Sequence, residues 1–495
     1  MTTLERFHNI VDGEKVTAAS GRWLPSYNPF TGEAWAEIPH GGEADVDHAI
    51  AAAERAFTGG DWPKLTASAR GKLLHRLADL VQDEAERLAR IETRDNGKLF
   101  AEMSGQLRYI PEWFRYFGGL ADKIEGAVLP MDKPAMFAFT RREPLGVVAA
   151  ITPWNSPLLL LAWKLAPALA AGNTVVVKPS EFASASTLAF AELFARAGFP
   201  KGVVNTLTGY GSEIGRPLTE HPLVAKIAFT GGDATGAQVG AAATRQLKHV
   251  TLELGGKSPN IVFADARIDN AVKGAIAGIF AATGQTCIAG SRLLVERSIH
   301  DDFVERLVAL ARQARIGDPM LAETQVGPVT TEPQLEKILA YIDIAKAEGA
   351  KLRLGGKRPE APHLAKGWFV EPTIFSGVDN GMRIAREEVF GPVLSIIPFD
   401  DEDDAVRIAN DNAYGLAAGV WTEDTRRALR MAERIRAGMV WINTYRAVSY
   451  LAPFGGMKRS GLGRESGMRA IDEYLQTKSV WINLAEDFPN PFVLR

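Results

Sequence analysis

Between residues 147 and 254, short apolar runs alternate with helical ones, and this rhythm limits the fold more than any other feature. Val147-Val148-Ala149-Ala150-Ile151 predicts a strand, 158–171 a helix, 174–177 a strand and 184–197 a helix. A third strand is expected over 203–207, with a short helix after Gly211. A fourth is expected over 225–229, with a helix over 234–245, and a fifth over 250–254. β-Branched strands separated by helices require crossover connections, so the expected class is α/β with a doubly wound parallel sheet. Ligands of such sheets bind outside the carboxyl ends of the strands. The loops at those ends hold Pro153-Trp154-Asn155-Ser156-Pro157, Lys178-Pro179-Ser180-Glu181, Gly209-Tyr210-Gly211, Thr230-Gly231-Gly232 and Glu253-Leu254-Gly255-Gly256-Lys257. Nearly all the unusual polar residues and glycines of this half therefore share one edge of one sheet.

Cys287 is the only cysteine among 495 residues, so it is packed, reactive or idle. Most free cysteines are small buried hydrophobes. This one follows an apolar helix-like run over 271–282 and lies between Gly284 and Gly290, as if a helix ended in a loop presenting one thiol. A nucleophilic thiol needs partners from elsewhere in the chain.

The flanking regions carry packing more than chemistry. Residues 1–40 read as short strands and turns, with a loop over 27–32. Val46, Ile50, Ala53 and Phe57 recur at helical spacing, as do Leu73, Leu77, Leu80, Val81 and Leu88. Residues 128–131 and 135–140 look like a hairpin standing off the body, which a subunit contact could cover. After Cys287 a second α/β alternation runs to about 445. Its strands are expected over 293–295, 393–397 and 439–442, and its helices near 300–313, 332–348, 402–410 and 424–436. A final strand is expected over 477–484. With 46% apolar and 23% charged residues and a net charge of −3, nothing suggests nucleic acid or an anionic membrane as partner. A lone cysteine suits a reducing cytosol, the N-terminus lacks an apolar signal core, and the most apolar stretch, 157–171, is broken by Lys164. A cytoplasmic protein is expected, with no metal.

Several edge residues have a chemical reading beside an ordinary one. Thr230-Gly231-Gly232 precedes a helix whose free N–H groups favour an anion, or forms a plain tight turn. Gly209, Gly211 and Gly215 miss the G-x-G-x-x-G spacing by one residue, so the usual dinucleotide fingerprint is absent. Lys178 ends an apolar strand, where a charge is unfavourable unless it meets water, an anion or ribose hydroxyls. Glu181 suits a ribose 2′-hydroxyl and repels a 2′-phosphate; a surface salt bridge is the alternative for the pair. Glu253, among glycines at a sheet end, is either a base with a raised pKa or a paired structural carboxylate. Asn155 is either an oxyanion donor or a turn asparagine.

Together, Pro153-Trp154-Asn155, Lys178-Pro179-Ser180-Glu181, Phe229-Thr230-Gly231, Glu253-Leu254-Gly255-Gly256-Lys257, Gly284-Gln285-Thr286-Cys287, Glu387-Glu388-Val389-Phe390-Gly391-Pro392 and Pro453-Phe454-Gly455-Gly456 resemble the aldehyde dehydrogenase superfamily in order and spacing. The resemblance implies a Rossmann-like NAD-binding domain (1–124 and 144–254), an α/β catalytic domain (255–470) and a small β oligomerisation unit (125–143 and 471–495) that makes homodimers or homotetramers. It implies Cys287 as nucleophile, Asn155 and the Cys287 N–H as oxyanion donors, and Glu253 as the base for the hydrolytic water. Lys178, Glu181, Gly211, Phe229, Gly231, Gly232, Leu254, Glu388, Phe390, Ile151 and Trp154 would hold NAD, with NADP disfavoured by Glu181. Ser156, Leu160, Trp163, Thr286, Ile288, Arg446, Val448 and Phe454 would line the substrate tunnel. Ser156 stands where many relatives have a bulky aromatic. Arg446 would greet a polar or carboxylate-bearing aldehyde, or lie solvated on the outer side of its loop. The competing readings are a coenzyme A-acylating relative, which usually lacks the Glu253 base; a thiol hydrolase, for which none of the eight histidines falls on the sheet edge; and a non-catalytic NAD-binding member.

Overall fold

The computed structural model describes residues 4–487 and 490–492; the remaining ends of the expected units 1–124 and 471–495 lie outside the described residues. Its first large sheet is built from β1 (Val147–Ile151), β2 (Thr174–Lys178), β3 (Val204–Thr206), β4 (Val224–Thr230) and β5 (His249–Glu253). Helices α1 (Pro157–Ala171), α2 (Ala185–Ala197), α3 (Gly211–Glu220) and α4 (Asp233–Arg245) make the crossovers. The five strands are parallel in the order β5-β4-β1-β2-β3. The chain thus starts in the centre, runs to one edge, returns, and runs to the other. The reversal between β1 and β4 leaves a crevice at their carboxyl ends. Register aligns that edge: Ile151 pairs with Lys178 and Phe229, and Thr230 with Glu253.

α1 is buried on every face, as its near-continuous Leu/Ala sequence requires. Pro157 occupies its first turn, and Gly172, at φ +100°, ends it in a left-handed turn. Three further strands extend the sheet beyond the five expected, the outermost being Glu14–Val16, antiparallel to Asn9–Val11. Asn9–Val11 lies antiparallel to β3, and Gly461–Leu462 antiparallel to β5. Segments of two or three residues are too short to carry a periodicity. The apolar series from Leu73 to Leu88 is also two helices, Ala67–Asp83 and Ala85–Asn96, broken at Glu84.

The second sheet contains β6 (Pro259–Val262), β7 (Arg292–Glu296), β8 (Lys351–Leu354), β9 (Thr373–Ser376), β10 (Val393–Phe399), β11 (Ala417–Trp421) and β12 (Met439–Ile442). Its order is β8-β9-β10-β7-β6-β11-β12, with only β8 antiparallel. β7, β10 and β12 fall where the sequence predicts strands. β6 opens on a proline after a glycine loop, and β11 is largely Ala and Gly, so neither shows a strand pattern.

The helix leading to Cys287, α5 (Ile268–Ile279), stops three residues short of the expected 271–282. Ala282, Thr283 and Gly284 then adopt left-handed φ values of +52°, +53° and +68°. A Cβ on Gly284 would lie 2.1 Å from Gly391 O, so this turn demands glycine. The two non-glycine residues are held there by tertiary bonds: Ala282 N–H donates to Glu102 Oε1 (2.9 Å) and Thr283 Oγ1 to Gly327 O (3.1 Å). Such strain persists only where the surroundings enforce it.

A third, smaller sheet joins Met136–Pro144 to Leu475–Asn483 in antiparallel register, with Val128–Leu129 on its far side. No helix among the described residues is long and apolar enough to cross a membrane.

Candidate active site

The crevice opens into a cleft of about 750 Å³. Its wall includes loops from all five strand ends, then Cys287, Gln334, Lys337, Glu388 and Phe390 from the second half of the chain. All eleven residues expected to hold a dinucleotide lie on this wall, as do Asn155, Glu253 and Cys287. Gln334, Lys337, Thr219, Glu220 and Arg245 also line it. They sit in unremarked helical surfaces, where no local pattern marks them.

At one end, Lys178 Nζ meets Glu181 Oε2 at 3.3 Å, while Glu181 Oε1 accepts the Gly211 N–H at 3.2 Å. The carboxylate is thus fixed beside a glycine where α3 begins. In the middle, Gly232 precedes α4 and its terminal N–H groups receive no side-chain cap. Toward the other end, Glu388 Oε1 accepts the Gly256 N–H (2.9 Å), and a Cβ on Gly255 would lie 2.2 Å from Glu388 Oε2. Burial raises the Glu388 carboxyl to about 7. Phe390, at φ +59°, presents its ring edge-to-face to Trp154, with centroids 5.3 Å apart.

Cys287 is half-buried at this end. Burial, with Glu388 and Glu253 adding negative charge, pushes its thiol up to about 12. Asn155 Nδ2 donates to Gln285 O (2.9 Å), which leaves its second amide hydrogen uncommitted by that bond. Gln285 is itself fixed by Pro328 O and the Thr330 N–H, so the loop before the thiol is braced. Glu253 is buried and neither of its oxygens has a hydrogen-bond partner. Desolvation, reinforced by Glu465, holds its pKa well above the usual carboxylate range. A Cβ on Gly455 would lie 2.8 Å from Glu253 Oε1, so the glycine leaves room beside the carboxylate. Behind Glu253, the Lys164 ammonium bonds Thr230 Oγ1 (2.7 Å) and pairs with Glu465. Sequence reading missed this pair, which joins positions 301 residues apart.

Of the eight residues expected to line a substrate tunnel, only Leu160 touches the cleft. Ser156 is buried and accepts a hydrogen bond from Lys98 Nζ (2.9 Å). Trp163 is buried between Trp113 and Phe454, with ring centroids 5.8 and 4.7 Å away. Ile288 belongs to the core cluster, and Val448 packs against it. Thr286 faces a separate small void, and its hydroxyl is buried without a partner. Arg446 is half-buried, at φ +65°, and donates to Ala277 O at 3.1 Å.

The family model described as "Aldehyde dehydrogenase family" matches residues 16–480. A (Z)-2-((N-methylformamido)methylene)-5-hydroxybutyrolactone dehydrogenase of Acinetobacter baylyi is 50% identical over 99% of this chain and 100% of its own. A betaine aldehyde dehydrogenase of Bacillus subtilis is 45% identical, over 96% of each chain. Among solved structures, a betaine aldehyde dehydrogenase from Staphylococcus aureus in complex with NAD+ superposes with a TM-score of 0.97 at 42% identity, covering 98% of this chain and 96% of that one.

Proposed function

Because this chain belongs to the aldehyde dehydrogenase family, we propose that it oxidises an aldehyde to the carboxylic acid through a thioester on Cys287, with NAD in the cleft. The observation that carries this reading is the meeting of Cys287, Glu253 and Asn155 at one end of a cleft whose other end is built for a nucleotide. The names of the relatives span a substituted hydroxybutyrolactone and betaine aldehyde, so the aldehyde is read from this chain's own residues.

The cleft fits the cofactor on its own features. Its volume is that of an ordinary ligand site. Lys178 and Glu181 would hold the adenosine ribose, the start of α4 the pyrophosphate, and Glu388 with Phe390 the nicotinamide half. Glu181, fixed by Lys178 and the Gly211 N–H, disfavours a 2′-phosphate and hence NADP. A bound NAD supplies the two-electron acceptor for the oxidation.

The protein's own groups do the rest. A thiol near 12 is idle at neutral pH, so it must lose its proton as the aldehyde engages. Glu253, whose raised pKa brings it closer to working pH, is the acceptor on the same wall. The sulfur–carbon bond forms as the carbonyl pair moves onto oxygen. The Asn155 amide and the Cys287 N–H stabilise that charge, a contribution of roughly 10²–10³ in rate per donor. Glu253 passes the thiol proton on to solvent; once the carbon is oxidised to the thioester, the freed carboxylate takes a proton from water, whose oxygen displaces the thiolate and releases the acid.

The first sheet with the helices preceding it serves as the NAD-binding domain (1–124 and 144–254), and the second sheet serves catalysis (255–470). The hairpin with its C-terminal strand (125–143 and 471–495) serves assembly. Exposed Val128, Phe137, Trp481 and Ile482 suit that outer sheet to a second copy of the chain.

The test is NADH formation by the purified protein with a panel of aldehydes, with and without coenzyme A. Turnover without coenzyme A is expected, and Cys287→Ala should lose at least about 10³-fold while still binding NAD. Turnover in that variant, or turnover only with coenzyme A, would overturn the assignment.

A further inference from the structure

Two cations that do not line the cleft, Lys98 and Arg446, lie close enough to Cys287 to sense its charge. Lys98 follows the helix Ala85–Asn96 and is almost wholly buried, with 1% of its surface exposed. Its hydrogen bond to Ser156 Oγ (2.9 Å) uses one of three ammonium protons. Ser156 adjoins Asn155, whose amide is tied to Gln285 two residues before the thiol. Arg446, from a distant segment, is near enough to Lys98 for the two charges to act on each other. Its neighbour Tyr445 is anchored by its hydroxyl to Ile288 O (3.1 Å), one residue past Cys287, and Arg446 Nη1 bonds Ala277 O. That bond uses one of five guanidinium N–H groups.

The acidic groups around this pair do not balance it. Glu102 is the carboxylate that acts most strongly on both; its Oε1 accepts the Ala282 N–H, its Oε2 has no partner, and it makes no hydrogen bond to either cation. Glu92 is fully buried, neither oxygen has a partner, and burial raises it to about 8, so it carries a proton at neutral pH. Asp95 is already met by Ser26, Trp35 and the Ala185 N–H. Two cations therefore share one carboxylate, and the buried Lys98 charge is unfavourable unless a further anion joins it.

We propose that the aldehyde oxidised here carries a carboxylate, bound between Arg446 and Lys98 beside Cys287 and outside the cofactor-cleft lining. This rests on Cys287 being the nucleophile. The carboxylate lies only a few carbons from the carbonyl, because Tyr445 holds the Arg446 loop against the residue next to Cys287. Burial lowers Lys98 to about 8, so its charge fades as pH rises above that value. Affinity for the charged aldehyde fades with it.

The experiment compares 4-oxobutanoate with its methyl ester and with butanal, in the wild type and in Arg446→Gln and Lys98→Met. The wild type should favour the acid over the ester at least ~10-fold in kcat/KM. Arg446→Gln should cut that preference by roughly 10- to 100-fold, mainly through KM. The KM for the acid should climb above pH 8 in the wild type and lose that climb in Lys98→Met, while KM for butanal shows no such climb. Equal kcat/KM for acid and ester in the wild type, with both oxidised, overturns this proposal and leaves the dehydrogenase reading standing. An equal loss on acid and ester in Arg446→Gln overturns it too. Failure to oxidise any of a broad aldehyde panel overturns both.

Discussion

On the cleft side of Cys287 the wall is set mainly by backbone. Strand ends in register, glycines that admit a neighbour's carboxylate, and a helix start make the surface. Outside the cleft lining, the charged surroundings of Cys287 are set by long side chains from distant segments: Lys98 on Ser156, Glu102 on Ala282, and Arg446 on Ala277. On the proposed reading, the contrast accounts for how one thiol would serve many aldehydes. A backbone-built surface holds a common cofactor and tolerates little change, while a side-chain-built surface can be rewritten one residue at a time.

The largest expected effect comes from a group on the cleft wall that is proposed to move protons and to hold neither the cofactor nor the carboxylate. Glu253→Gln should slow both thioester formation and thioester release, by about 10²–10³-fold, while cofactor and aldehyde still bind. In the wild type only the deprotonated carboxylate acts as base. Its pKa is raised, so kcat should climb with pH through that raised value, and the climb should vanish in Glu253→Gln. NADH formation that is slow even in the first turnover, with NAD still bound, would mark the lost proton acceptor; a variant as fast as the wild type would remove Glu253 from the mechanism.

A smaller effect tests the backbone-built side alone. The Cβ of Gly255→Ala would displace the end of the flexible Glu388 side chain, 2.2 Å away, more readily than it would unfold the loop. NAD should bind about 10-fold more weakly by titration, with the KM for aldehyde little changed. An aldehyde KM that rose in step would show that the two faces are not separable.

The smallest expected effect lies behind the substrate side and is read as stability. Glu92 binds its proton more tightly folded than unfolded, at about 8 against the ordinary 4.5. Between those values the native state holds a proton that the unfolded chain has lost. Its contribution is therefore fully present below about 4.5 and fades as pH rises toward 8. Glu92→Gln should flatten the fall of Tm across that window by a few degrees, with little change in Tm at pH 5.

The five parallel strands and their order along the chain were legible because each is a run of β-branched residues between helices. β6 and β11 were not, since Pro259 and the Ala/Gly content of β11 hide them, and no two-residue strand such as Gly461–Leu462 announces itself. The expected cofactor residues all stand on one wall because strand ends of a parallel sheet necessarily share an edge. The expected tunnel residues scatter because they come from several separate segments and each is placed by its own packing: Leu160 faces the cleft, while Trp163 is packed among Trp113 and Phe454.

What the amino-acid sequence determined by itself was therefore local and periodic. It includes the strand–helix rhythm, the polar loops at one sheet edge, and a single cysteine after a glycine-bearing turn. What only the tertiary structure decided was which distant charges meet: Glu465 with Lys164 behind Glu253, and Lys98 with Arg446 near Cys287. The reason is physical. Backbone pattern fixes where a residue lies along an element, but the charge environment of a buried side chain depends on which other segments the fold packs against it.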